Sequence, residues 1–160
     1  MTTTVSMKTP IGVLQIEGDD KVITEVTLPG RGDEPAFTRR TSPLPTAVSE
    51  AVAQLDEYFA GERTQFDLPL ELEGTTFQKQ VWWALADIPY GKTISYAELA
   101  RMVGRPTAFR AVGQANGANP IPIILPCHRV LASGGRIGGY GGGLAMKRQL
   151  LAIEGITGID

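Results

Sequence analysis

The sequence predicts an α+β protein made of two small units, residues 1–73 and 74–160. Three features carry that reading. Period-two apolar runs occupy the first thirty residues, helical apolar spacing with capping signatures takes over from Thr75, and the charge changes sign between the halves. The 160-residue chain has a formal net charge of −2. Residues 1–74, however, carry 6 basic and 13 acidic side chains, a net of −7, and residues 75–160 carry 9 and 4, a net of +5. From Lys92 to Ile153 there are eight basic residues and a single acid, Glu98, so the second half is the one able to meet a phosphate backbone.

Taken in order, residues 4–28 read as β structure: Val13, Leu14 and Ile16 follow Pro10-Ile11-Gly12, and Val22, Ile23, Val26 and Leu28 follow the turn signal Gly18-Asp19-Asp20. A polar, Pro-bearing connection runs from Gly30 to about Pro45. Val48, Val52, Leu55 and Phe59 then line one helix face, which Gly61 ends. Phe66, Leu68, Leu70 and Leu72 alternate with polar residues and Pro69, the mark of an edge or an extended connection. Thr75 with Gln78 resembles a capping box for a short helix carrying Phe77, Val81, Ala84 and Leu85, and Ile88-Pro89-Tyr90-Gly91 breaks it. Ser95 with Glu98 opens a second helix through Leu99, Ala100 and Val103 that stops at Gly104; after Arg105-Pro106 a third runs from about Thr107 to Asn116 or Gly117. Two short helices joined by a tight Gly-containing turn form a helix-turn-helix pattern. The apolar run Ile121 to Leu125, a Gly-rich loop from Gly134 to Gly143 and a last helix from Leu144 to Ile153 complete the chain.

One Cys excludes an intramolecular disulfide, and one Cys with one His cannot build a tetrahedral zinc site, so no metal or other cofactor is expected. Residues Met1 to Thr9 lack a secretory signal pattern, and no stretch reaches the ~20 apolar residues that span a bilayer. A soluble, cytoplasmic protein in a reducing compartment is expected, without membrane contact. The third helix is built of small residues around one long one, Arg110: Ala108, Ala111, Gly113 and Ala115 offer little to read base edges with, but they permit close approach to a sugar–phosphate backbone. Arg110 has the form of a wedge able to fill the space of a displaced base; close packing of a small-residue helix is the plainer alternative. The only Cys and the only His are adjacent, Cys127-His128 after Pro126. A thiolate is a strong nucleophile and an imidazole can activate it, but neighbours in an extended segment point apart, so a bend or an intervening water is needed. Glu154, the sole acid between Glu98 and Asp160, is the candidate to orient the imidazole. These residues also admit a DNA-binding regulator without chemistry, or a cysteine hydrolase.

The motifs Ile88-Pro89-Tyr90-Gly91 with Ser95-Tyr96, Arg110-Ala111-Val112-Gly113, Asn119-Pro120, Pro126-Cys127-His128-Arg129-Val130 and Gly138-Gly139-Tyr140 with Gly142-Gly143 follow one another in that order. Over residues 75–155 the chain resembles the O6-alkylguanine-DNA alkyltransferases, and its first half has that family's length and strand–helix order. The resemblance implies a ribonuclease-H-like N-terminal unit followed by a winged-helix-like alkyltransferase unit. It further implies that Cys127 takes the alkyl group from O6 of a flipped guanine in double-stranded DNA, once per molecule, with the protein acting as a monomer. His128 would act as base through a water, with Glu154 holding the imidazole and Asn119 tying the active-site turn. Tyr96 would donate toward N3 of the departing guanine. Arg110 would be the finger, with Tyr96, Ala108, Ala111 and Gly113 also at the DNA, while Val130, Ser133, Tyr140 and Gly142 would line the base pocket.

Overall fold

The computed structural model describes residues 2–30 and 43–160. Most of the connection expected between Gly30 and Pro45 lies outside the described residues. The chain forms two compact units, Met1–Leu72 and Glu73–Asp160. The first is a sheet with a helix and the second is mainly helical, a mixed α/β architecture.

In the first unit β1 (Thr3–Thr9), β2 (Gly12–Gly18) and β3 (Ile23–Thr27) form an antiparallel meander, with Thr9 opposite Gly12 and Ile16 opposite both Val5 and Val26. Alternation buries Val5, Met7, Leu14 and Ile16 on one face. The Gly18-Asp19-Asp20 signal is an Asx turn: Asp19 Oδ1 accepts from the amides of Lys21 and Val22, each at 2.8 Å. Those two amides hold the Asp19 carboxyl below its ordinary value. Only glycine fits at position 18, because a Cβ there would lie 2.5 Å from the Val22 carbonyl oxygen.

α1 (Thr46–Phe59) lays Val48, Ala51, Val52, Leu55 and Tyr58 into the core. Phe59, expected on that face, is half-buried, and Tyr58 takes the fully buried place. The stripe advances by alternating steps of three and four, and its last step here is three. The Phe66–Leu72 alternation holds as burial, with Phe66, Leu68 and Leu70 half-buried, Leu72 buried and the odd residues exposed, but not as a strand. It makes one bridge, Leu70 opposite Ile23, through Ile23 N–H to Pro69 O (2.8 Å) and Glu71 N–H to Ile23 O (3.0 Å). Pro69, which has no N–H, enters only as an acceptor.

The second unit contains α2 (Thr76–Leu85), β4 (Ile94–Ser95), α3 (Tyr96–Met102), α4 (Phe109–Gly117), β5 (Val130–Leu131) and α5 (Leu144–Ile153). The Thr75 box is complete: Thr75 Oγ1 accepts from Gln78 N–H at 3.0 Å and Gln78 Oε1 accepts from Thr75 N–H at 2.9 Å. At α3 only half of the expected box forms. Ser95 Oγ accepts from Glu98 N–H at 3.1 Å, but the Glu98 carboxylate accepts from the Ser95 hydroxyl, at 3.4 Å, in place of the Ser95 backbone N–H. α4 begins at Phe109, two residues later than expected, because Arg105 to Ala108 close a turn of their own (Ala108 N–H to Arg105 O, 3.0 Å). Trp82, outside the expected stripe of α2, is buried because its indole N–H donates to Ala115 O at 2.7 Å and joins α2 to α4.

Candidate active site

The helix-turn-helix is α3 and α4, and two short devices bring it to the cysteine. β4 pairs in parallel with β5, Ile94 opposite Val130 and Ser95 opposite Leu131. Tyr96, the first residue of α3, is thereby anchored beside the segment that carries Cys127. The other device is the turn from Asn119 to Leu125. Asn119 Nδ2 donates to Leu125 O at 2.8 Å while its Oδ1 accepts from Ile121 N–H at 2.9 Å. Within this turn Ile123 has φ +74, a left-handed backbone on a β-branched residue. Such strain persists only where surrounding bonds enforce it. The apolar run of Ile121 to Leu125 is therefore a buried turn rather than a strand.

Cys127, His128 and Arg129 then form one turn of 3-10 helix, which supplies the bend that an adjacent Cys–His pair needs. All three are buried. His128 Nε2 lies 2.6 Å from Glu154 Oε2, so in the neutral ring Nε2–H donates to the carboxylate and Nδ1 keeps its lone pair. His128 Nδ1 is buried with no hydrogen-bond partner in the protein. Burial pushes the imidazole below its ordinary pKa, and the Glu154 carboxylate opposes this. Burial likewise raises the Cys127 thiol, against the hydrogen bond of Asn119, the positive charge of Lys147 and the hydrogen bond of Tyr140. At rest the site thus holds a protonated thiol and a neutral imidazole. Burial also raises the Tyr96 phenol, opposed by the Asn116 side chain, so Tyr96 keeps a proton to donate.

Glu154 caps the C-terminus of α5, where the helix dipole disfavours an anion. Arg129 compensates with a two-pronged contact, Nε to Oε1 at 2.7 Å and Nη2 to Oε2 at 3.1 Å. Its Nη1 donates to Ile88 O at 2.6 Å, its guanidinium lies 5.7 Å from the centre of the Tyr90 ring, and Gly91 N–H donates to Glu154 Oε1 at 3.3 Å. The helix-breaking segment Ile88–Gly91 is therefore part of the carboxylate's cradle.

Lys147 is the other residue whose place the linear sequence did not reveal. It is completely buried, and its ammonium donates to Val130 O at 2.7 Å, Gly139 O at 3.1 Å and Ile137 O. Burial lowers its pKa to about 8, while the Cys127 thiolate would raise it. A signal was present: Lys147, Leu150, Leu151 and Glu154 fall at helical spacing, so Lys147 sits on the buried stripe of its own helix. Gly138, at φ +68, completes the wall. A Cβ there would stand 3.2 Å from Ala132 N and 3.6 Å from the Tyr96 ring.

These contacts gather Asn119, Cys127, His128, Val130, Tyr140 and Glu154 into one site, with Tyr96 held beside it by the β4–β5 pairing. Ser133, exposed at the start of a 3-10 turn, and Gly142, half-buried in the loop before α5, take no part in them. Arg110 and Ala111 are exposed on α4, Ala108 is its N-terminal cap residue without a side-chain cap, and Gly113 is half-buried against Tyr96. Among the described residues no cluster of His, Cys, Asp and Glu could hold a metal ion, and no helix is long and apolar enough to cross a membrane.

Fold and site together define a class: a small two-unit protein that sets a helix-turn-helix beside a buried thiol, imidazole and carboxylate. Residues 3–72 match the ribonuclease-like domain of 6-O-methylguanine DNA methyltransferase, and residues 76–156 match its DNA-binding domain. A methylated-DNA–protein-cysteine methyltransferase of Mycobacterium tuberculosis is 52% identical over 149 residues, covering 93% of this chain and 90% of its own. The constitutive enzyme of that name from Bacillus subtilis is 46% identical over 154 residues, 94% and 93% of the two chains. The crystal structure of M. tuberculosis OGT in complex with DNA superposes with a TM-score of 0.84 at 49% identity, covering 94% of this chain and 91% of that one. The chain belongs to the 6-O-methylguanine DNA methyltransferase family.

Proposed function

We propose that the protein repairs DNA by direct reversal, moving the alkyl group from O6 of guanine in double-stranded DNA onto Cys127. The observation that carries this reading is the buried His128–Glu154 pair next in sequence to the buried Cys127, with His128 Nδ1 unpartnered, beside a helix-turn-helix on the basic half of the chain.

His128 Nδ1 takes the Cys127 proton through a bridging water, and Glu154 stabilises the imidazolium that forms. The thiolate attacks the alkyl carbon in line; the S–C bond forms, the C–O6 bond breaks, and its electron pair stays with guanine. The Tyr96 hydroxyl supplies a proton to N3 of the departing base, which would otherwise leave as an anion. Lys147 places a buried cation near the thiolate and fixes the carbonyl of Val130, which lines the pocket with Tyr140, Gly142 and Ser133. The thioether has no route back to a thiol, so each molecule reacts once. Arg110 fills the vacated stack, and Ala108, Ala111 and Gly113 let α4 approach the backbone closely. The protein works as a monomer without metal or cofactor, in the cytoplasm, where a lone thiol stays reduced.

Intact-mass measurement after mixing with an O6-methylguanine duplex tests the reading. Wild type should gain one methyl per molecule, localised to Cys127, and Cys127→Ser none. Unmodified wild type, or repeated turnover, would overturn it. Binding should weaken as salt rises.

A further inference from the structure

Phe109, an aromatic side chain at the protein surface, has no part in the reaction derived above. It is the first residue of α4 and 49% exposed, more than any other large apolar side chain among the described residues. Helical spacing puts it in line with Asn116, two turns further on, and next to Gly113, one turn on and slightly round toward Arg110. Asn116 is buried, and a Cβ on Gly113 would stand 4.0 Å from the Tyr96 ring. Phe109 therefore lies on the side of α4 turned toward Tyr96, and through it toward Cys127. Arg110, Gln114 and Gly117 are exposed on the adjoining side. Between the two sides Gly113 presents no side chain. Phe109 thus stands next to Arg110 in the chain and one turn N-terminal to Gly113.

A half-exposed ring beside Arg110, on a helix in the basic half of the chain, has the composition of a nucleic-acid contact. The charge attracts phosphates and the ring accepts the face of a base or sugar. We propose that Phe109 packs against the nucleotide flanking the extruded guanine on the lesion strand, so that an aromatic–arginine pair, not Arg110 alone, holds the duplex open. This rests on the flipping reading above and adds the second contact.

The test measures the rate of methyl uptake from an O6-methylguanine duplex at limiting protein, by intact mass. Phe109→Ala should react roughly tenfold more slowly, the scale of losing one stacked base, with an unchanged thermal midpoint. Phe109→Trp should restore the rate. The salt slope should stay that of wild type, since no charge is lost. Two further duplexes carry an abasic site, one on each side of the lesion. On one of them wild type should fall to the Phe109→Ala rate, because the base that the ring packs against is gone. A Phe109→Ala variant as fast as wild type, or a penalty that persists on both abasic duplexes, would overturn the contact while leaving the repair function standing. A wild type that gains no methyl would instead remove the function itself, and this inference with it.

Discussion

The two units solve the burial problem in opposite ways. In the first, the interior is apolar: Leu14, Ile16, Ile23, Val48, Leu55 and Tyr58 are fully buried, and Gln54 is its one buried polar side chain among the described residues. Gln54 is satisfied by a reciprocal pair of bonds with the Asp67 backbone, at 3.0 and 2.9 Å. In the second unit His128, Arg129, Lys147 and Glu154 are all buried, beside a buried thiol and a strained Ile123. Area burial stabilises the first unit directly. The second gives up stability to desolvation and strain, and obtains a neutral imidazole, a fixed carboxylate and a cation near sulfur. The contrast marks the candidate site: a fold needs no buried ions, whereas this unit buries three charged side chains, Arg129, Lys147 and Glu154.

Breaking the ion network should have the largest effect. Glu154→Gln leaves Arg129 buried without its counter-charge and His128 without its orienting partner. It should lower the unfolding free energy by about 3–5 kcal/mol, read by urea denaturation, and slow methyl transfer as well. Leu55→Ala in the first unit should cost about 2–4 kcal/mol through a cavity, yet leave the transfer rate per folded molecule within about twofold. Equal loss of rate in both variants would dissolve the distinction between the units. A smaller effect is expected at Lys147→Met, which removes the cation near Cys127. Transfer should slow by about tenfold, the equivalent of one unit of thiol acidity, as measured by single-turnover kinetics.

The finest effect is in pH. The Cys127 thiol is raised in the folded state, so above its unfolded value the unfolded chain loses a proton that the folded one keeps, and stability falls. Lys147 does the reverse: from about 8 to its ordinary 10.5 the unfolded chain holds the extra proton, and its contribution rises with pH. The two oppose each other in one window. The stability of wild type relative to Cys127→Ser should therefore decline as pH rises from about 8 to about 10, followed by thermal unfolding across that range. A flat difference would mean that burial does not raise the thiol.

Local signals settled much of this protein before any tertiary contact was considered. Thr75–Gln78 and Ser95–Glu98 announce helix starts because caps act within four residues, and α5 begins after Gly143 and ends at Ile153 as its pattern required. Cys127, His128 and Glu154 stood out because the chain has one Cys, one His and hardly any acid in its second half. The Phe66–Leu72 alternation was legible as burial but not as pairing, since pairing depends on a partner strand elsewhere. Arg129 and Lys147 escaped for a similar reason. A basic side chain looks like surface until a carboxylate 25 residues away, or the carbonyls of Val130, Ile137 and Gly139 together, supply what water would have. Sequence alone determined where elements begin and which atoms could react, because those depend on neighbours along the chain. Tertiary structure decided the protonation states, the 3-10 bend at Cys127 and the buried cation, because desolvation and charge pairing depend on neighbours in space.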